Sequence, residues 1–168
     1  MATDPYTLVH DALWAALEAH SDFTNLVPVG NRIKFSGDDR SPIKDRITSA
    51  DTPDVRIAMR SLTCRDTGAS GPSEMDRVQF NVELATGDQR LDARAFPIVW
   101  AIRQAIFNAD AALKAIEFNS KTAWVLNPHT GTVDFGLAQD KETRGIIGWA
   151  AVVSVEFHLW FSKTDLTP

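Results

Sequence analysis

The chain has few of the residues on which disulfide-rich and metal-binding proteins depend. Cys64 is its only cysteine, so the sequence offers neither an internal disulfide bond nor a multi-thiolate metal site, as fits folding in a reducing cytoplasm. The histidines show neither the His-Glu-x-x-His spacing nor the Cys/His spacing of zinc sites. They are His10, His20, His129 and His158. We therefore expect no metal and no cofactor.

Long apolar runs and an excess of positive charge are also missing. Residues 146–155, the longest apolar stretch, are too few to span a bilayer. Residues 1–6 lack the basic and apolar regions of a secretory signal, so we expect no export by that route and no membrane partner. The net charge of −5 has the wrong sign for a protein that holds nucleic acid by neutralising phosphates. It does not exclude a surface that nucleic acid merely passes.

Sequence motifs for catalysis are missing as well. The stretch Gly68-Ala-Ser-Gly71 has no following Lys-Ser/Thr pair to hold a phosphate, and Cys64 has no local sign of activation. We predict no catalytic residues and no enzymatic activity. A rival hypothesis, a small ligand-binding domain or enzyme, would use the pair Glu156 and His158. The simpler interpretation makes them polar neighbours on one face of a strand.

The composition is that of a globular protein, with 44% hydrophobic and 23% charged residues. A length of 168 residues is usual for one domain, and the sequence has no internal repeat and no linker. We therefore predict a single domain over residues 1–168. Clusters of glycine, proline and charged residues predict long loops at about residues 35–52 and 65–76.

Two main helices are predicted. Asp4 and Pro5 are typical of a helix start, and residues at helical spacing continue one stripe to His20. The chain from residue 21 to residue 54 reads as irregular. A second helix runs from Leu91 or Pro97 to about Ala109.

Alternation of apolar and polar residues predicts the strands. The longest such run covers residues 149–161, and shorter runs cover about residues 55–60, 78–84, 123–126 and 133–137. Residues 127–131 are predicted as a turn. This order of elements predicts an α+β fold, with a mainly antiparallel sheet of about four to five strands and two main helices packed on one face.

The second predicted helix is unusual because the side opposite its core stripe is also apolar. At roughly 100° per residue, Phe96, Trp100 and Phe107 share that side, with Arg103 at their margin. One interpretation is that the aromatic side chains pack under a loop of the same chain. The other is a subunit contact, since interfaces favour aromatic residues and arginine. These residues are the predicted interface candidates.

The polar sides of the strands are expected to share the sheet face that points away from the helices. On a monomer such a face is simply exposed to solvent, whereas in a ring it could line a channel. The channel-face candidates are Arg56, Arg60, Gln79, Asn81, Glu83, Glu156 and His158.

The order of elements resembles the tail terminator, or tail completion, proteins of long-tailed bacteriophages, also called head-tail joining proteins. The resemblance covers most of the chain and lies in pattern. A helix over residues 6–20 leads into Phe-Thr-Asn-Leu-Val-Pro-Val-Gly-Asn-Arg-Ile at residues 23–33, paired strands and a mid-chain helix follow, and Lys-Glu-Thr-Arg at residues 141–144 precedes the last strand. One departure is the excursion over residues 35–52, which is longer than the simplest members of the family need.

The resemblance implies a structural virion protein of the tail and neck, made in the host cytoplasm. Its partners would be further copies of itself in a homohexameric ring, the tail tube protein, and the connector or stopper protein of the head. The ring would cap the tail tube and leave a channel, lined by the sheet, for DNA as passing cargo. The alternatives are another neck or connector adaptor and a tail tube subunit.

Overall fold

The first part of the chain contains the predicted helix and, after it, a second short helix and a 3₁₀ turn. The structure is a computed structural model that describes residues 4–33, 53–66, 73–88, 90–118, 121–122, 124–139 and 146–162. Helix α1 spans Pro5–Ala19, and the carboxylate of Asp4 caps it by accepting a hydrogen bond from the Thr7 amide. The short helix α2 spans Ser21–Leu26. A single 3₁₀ turn then covers Val29–Asn31.

The middle of the chain forms the second main helix. A π-helical turn over Leu91–Ala95 leads into helix α3, Phe96–Asn108, and the short helix α4, Asp110–Lys114, follows at once. Both predicted main helices are confirmed. No described helix is long and apolar enough to cross a membrane.

Antiparallel pairing organises most of the strands. The first three are β1 (Arg32–Ile33), β2 (Asp54–Asp66) and β3 (Ser73–Thr86). The later ones are β4 (Glu117–Phe118), β5 (Lys121–Thr122), β6 (Trp124–Gln139) and β7 (Ile146–Ser162). A five-stranded sheet has the order β1-β2-β3-β7-β6, and only the short β1 pairs in parallel. Strands β4 and β5 pair separately. The predicted α+β fold is confirmed.

The core lies between one face of the sheet and the helices. Every second residue from Asp76 to Leu84 on β3 and from Ala151 to Leu159 on β7 is buried on this face, as the alternation predicts. On the helices, the buried stripes interlock with these strand residues in one apolar cluster. The largest fully buried side chains belong to Leu13, Leu17, Phe23, Ile57, Phe80, Leu84, Ile98, Ile102, Ile106, Leu113, Phe157 and Leu159.

The predicted turn at residues 127–131 is wrong, because these residues lie within β6. The register of β6 against β7 shifts between Leu126 and His129, and again between Thr130 and Val133. These two irregularities absorb the Asn-Pro and Gly-Thr residues that favour a turn. Pro128 has no amide hydrogen to donate, so its place in an irregularity loses no ladder hydrogen bond.

The predicted loops fare differently. The segment 21–54 is not wholly irregular, because α2, the 3₁₀ turn and β1 lie within it. The loop predicted at 65–76 is wrong in extent, since β2 continues to Asp66 and β3 begins at Ser73. The loop predicted at 35–52 lies outside the described residues.

Candidate functional site

The sheet face opposite the core, here called the polar face, carries ion pairs between neighbouring strands. Arg56 of β2 lies directly opposite Glu83 of β3, and its Nε donates to Glu83 Oε2 at 2.6 Å. Their side chains are only 16% and 17% exposed. This pair is therefore far better shielded from water than an ordinary surface ion pair, and it ties β2 to β3.

A second charged cluster joins β3 to β7 further along the polar face. Arg77 Nη2 donates to Glu156 Oε2 at 2.6 Å, and His158 Nε2 lies 2.8 Å from Glu156 Oε1. The hydrogen bond from Arg77 is the largest cause of a lowered pKa of Glu156; burial opposes it, and the hydrogen bond with His158 adds a smaller lowering effect. The same hydrogen bond raises the pKa of Arg77. Glu156 is thus held as a carboxylate, which suits a charge partner.

Uncharged hydrogen bonds fill the space between these two clusters. Ser154 Oγ donates to Asn81 Oδ1 at 3.3 Å across β7 and β3. Ser61 Oγ donates to Gln79 Oε1 at 3.4 Å across β2 and β3. Side-chain contacts between neighbouring strands therefore recur along the polar face from Glu83 to Arg77.

The structure brings the predicted channel-face residues together with one exception. Gln79 lies directly opposite Glu156, so Gln79, Asn81, Glu83, Glu156 and His158 follow two adjacent strands on the same face. Arg60 is exposed and falls where the β2 register shifts between Met59 and Ser61. This irregularity moves Arg60 out of the ladder that Arg56 shares with β3. Sequence reasoning missed Arg77, because its exposed position near the end of the predicted strand gave no sign of a partner on β7.

The second surface is the aromatic ridge, defined as Phe96, Trp100, Arg103 and Phe107 on α3. Phe96 is 47% exposed, Trp100 is 58% exposed and Phe107 is 81% exposed. In the part of the chain that the structure describes, Trp100 and Phe107 are therefore not packed under a loop. Apolar side chains this exposed, aligned along one helix, are typical of a surface that another protein covers.

The edge strand β6 extends the aromatic ridge. Phe96 packs edge-on against Phe135, with ring centroids 5.4 Å apart. Phe135 and the neighbouring Leu137 remain 39% and 45% exposed. Sequence reasoning placed both in a strand but missed their exposure, because alternation identifies the apolar side of a strand and not whether a helix covers it.

The described residues were also compared with the requirements of a metal site and of a ligand pocket. Among them, no group of three or more His, Cys, Asp or Glu side chains is placed to hold a metal ion. One apolar cavity of about 300 Å³ lies between the start of α1 and the sheet, where Tyr6, His10 and Met59 line it. Glu156 and His158 do not line this cavity, since they lie on the opposite face of the sheet.

Comparisons with known proteins identify no relative of this chain. The sequence matches no protein-family model, and no curated protein matches it.

Proposed function

We propose that the chain is a tail terminator of a long-tailed bacteriophage. In this proposal several copies close into a ring, which caps the tail tube, joins the tail to the head connector, and leaves a channel for the genome. The ring is formed by the protein alone, and its two sides bind different partners. One side complements the last ring of the tube, whereas the other offers no place for a further tube subunit.

The observation that carries the proposal is the compensated polar face. A channel that passes DNA needs a hydrated wall that does not hold phosphates, because each fixed contact with a phosphate adds affinity and slows passage. On the polar face the arginines Arg56 and Arg77 are each neutralised by a glutamate on the adjacent strand, at 2.6 Å in both cases. Long strands give such a wall its height, and the helices on the other side leave it uncovered.

The aromatic ridge supports the same proposal from the other side of the molecule. A monomer gains nothing from an exposed row of large apolar side chains, whereas an assembling subunit buries them against a neighbour. The ridge lies on the helix layer, so a neighbour could bind there and leave the polar face open.

Binding to tail tubes is the direct test of this function. Purified protein would be mixed with isolated tail tubes that lack their terminator, and electron microscopy would locate it along them. We expect density at one end of each tube only, and we expect capped tubes to stop elongating when free tube subunits are added. Binding along the whole tube, or no binding at all, would rule out the terminator function.

A further inference from the structure

A groove on the helix layer lies between α1 and the segment formed by α3 and α4. Its volume is about 440 Å³, and His20 and Asn108 are the polar residues among those that line it. The remaining lining is Leu113 and seven alanines, whose short side chains leave the space between the two walls unfilled. The alanines that matter most are Ala15, Ala16 and Ala19 on α1, and Ala105, Ala109 and Ala112 on the facing segment.

The groove has the size and character of a socket for aromatic side chains. A cavity of about 150 Å³ with an aliphatic lining is enough to hold one benzene ring. The groove is larger than that, and it is open to solvent at Ala15, Ala19 and Ala112, which are exposed. It could therefore take two neighbouring aromatic side chains from outside.

The aromatic ridge and the groove lie on roughly opposite sides of α3. Turning the helix at about 100° per residue places Trp100 and Phe107 close together in direction, places Ala105 on the far side, and places Asn108 about a quarter-turn from the ridge. A contact between two different surfaces of the same chain is heterologous, and it gives a ring when the rotation between neighbours closes and an open filament when it does not. Ridge and groove are thus positioned for two neighbours, one on each side of every subunit.

The charges of the two helices are complementary as well. Arg103 in the aromatic ridge is the single charged residue of α3, whereas the acidic residues of α1 are Asp11 and Glu18. Asp11 precedes the groove residues Ala12 and Ala15, and its side chain is 68% exposed. A ridge docked in the groove would bring Arg103 beside these two acidic residues. Within the same chain, Asp11 also lies 3.2 Å from His10 and Glu18 lies 4.0 Å from Arg32.

We propose that the aromatic ridge of one subunit docks in the alanine groove of the next copy of this chain, with Phe107 and Trp100 as the inserted side chains and Arg103 beside α1. This inference rests on the ring assembly in the proposed function and names the surfaces that close the ring. It leaves the polar face uncovered, as a channel wall requires.

Two variants test the contact, one on each surface. The ridge variant carries Trp100→Ser and Phe107→Ser, and the groove variant carries Ala15→Phe and Ala112→Phe, all at exposed positions. Each should weaken self-association by at least about thirtyfold, the loss expected for a central aromatic contact. The controls are Val29→Ser, at a valine that is 76% exposed away from the ridge, and Ala111→Phe, at an exposed alanine that does not line the groove. Both controls should assemble like the wild type in mass photometry and light scattering.

Mixing the two variants gives the sharpest result. The ridge variant keeps an intact groove and the groove variant keeps an intact ridge, so an equal mixture should form heterodimers that grow no further. Unchanged assembly of the ridge variant, or a mixture that stays monomeric although both variants keep the circular dichroism spectrum of the wild type, would overturn the proposal. If the groove variant fails to fold, the ridge variant and its control still decide the role of the ridge.

The outcome can be separated from that of the proposed function. Wild-type rings that the ridge variant also forms would reject the ridge-and-groove contact and leave the terminator function standing. Rings that depend on ridge and groove but do not bind tail tubes would support the contact and reject the terminator. Wild-type protein that stays monomeric at every concentration, or that uses the groove only for a different protein, overturns the contact.

Discussion

At the residue scale, the polar face is held by side chains that pair across neighbouring strands, and Glu156 has the most partners. Arg77 lowers the pKa of Glu156 below its ordinary value of 4.5 by hydrogen bonding to the carboxylate. The pair therefore stabilises the fold fully above that pH, and the contribution is lost as the pH falls through the lowered pKa of the folded state.

Glu156→Gln should remove this contribution. Because Arg77 is half exposed, solvent screens the pair, and we expect the variant to lose at most about 1 kcal/mol of unfolding free energy at neutral pH. Urea unfolding at pH 7 and near pH 3 checks this, with Asp134→Asn, at an exposed residue of β6, as the control. The deficit of Glu156→Gln should shrink at the lower pH, and a deficit that is equal at both values would contradict the assignment.

Asp76 is a second residue whose setting only the structure reveals. It is 4% exposed, its Oδ2 accepts a hydrogen bond from the Tyr6 hydroxyl at 2.6 Å, and its Oδ1 has no partner among the described residues. A buried carboxyl group with one hydrogen bond depends strongly on that bond.

Tyr6→Phe should therefore destabilise the protein by about 1–3 kcal/mol, the range for leaving a buried polar group without its hydrogen-bond partner. Thermal and urea unfolding measure the loss. A double variant that also carries Asp76→Asn tests the pairing, since the two losses should not add if the hydroxyl acts through Asp76. Fully additive losses would show that Tyr6 acts through other contacts.

At the element scale, long periodic segments were predictable from the sequence and short or interrupted ones were not. The stripe of α1 and the alternation of β7 come from many residues that agree, because a whole face of each element is buried. The helices α2 and α4 have too few turns to show a stripe. In β6 the turn-forming residues Asn127, Pro128 and Gly131 signalled a break, but pairing with β7 on one side held the strand together around two irregularities.

The start of β7 depends on a glycine for close packing against the end of β3. A Cβ atom added at Gly148 would lie within van der Waals overlap of the Thr86 carbonyl oxygen and near Gly87. Gly136 on β6 has nothing within 4 Å of the same position. Comparing substitutions at Gly148 and Gly136 therefore separates a local requirement for glycine from the general effect of replacing a glycine in a strand.

Gly148→Ala should force the strands apart and destabilise the fold by about 1–3 kcal/mol, as overpacking does. Gly136→Ala is the matched control and should change stability by no more than about 0.5 kcal/mol. Urea unfolding of both variants gives the comparison. Equal stability of the two would mean that the approach of β7 to Thr86 is looser than described.

Some of the candidate surfaces could be predicted from the sequence and others could not. The polar residues of β3 and β7 and the aromatic side of α3 could be predicted, because each follows from the period of one element. The groove could not, because it depends on how α1 packs against α3 and α4, and alanines in a helix read as ordinary core or surface residues. The contact of Phe135 with the aromatic ridge could not be predicted either, because Phe135 and Phe96 are far apart in the sequence.

At the scale of the whole molecule, the balance of charge on the polar face should decide whether DNA sticks to it. Replacing Glu156 and Gln79 with lysine would leave Arg77 without its carboxylate and make the wall basic. We expect this variant to bind duplex DNA at least about tenfold more tightly than wild type at low salt, with affinity that falls steeply as salt is added.

The control for this prediction carries Asp22→Lys and Asn25→Lys, on exposed residues of α2, and so has the same net charge. Fluorescence anisotropy with a short duplex compares the two. If both variants bind DNA equally, net charge alone explains the binding, and the position of the added lysines on the polar face makes no difference.

Electron microscopy of the purified wild-type chain tests the central claim most directly. The account predicts single closed rings with an open centre, one subunit thick, which do not stack into longer structures. Long cylinders would instead identify a tube subunit. Monomers alone, at every concentration examined, would contradict the claim that this chain is built to close a ring.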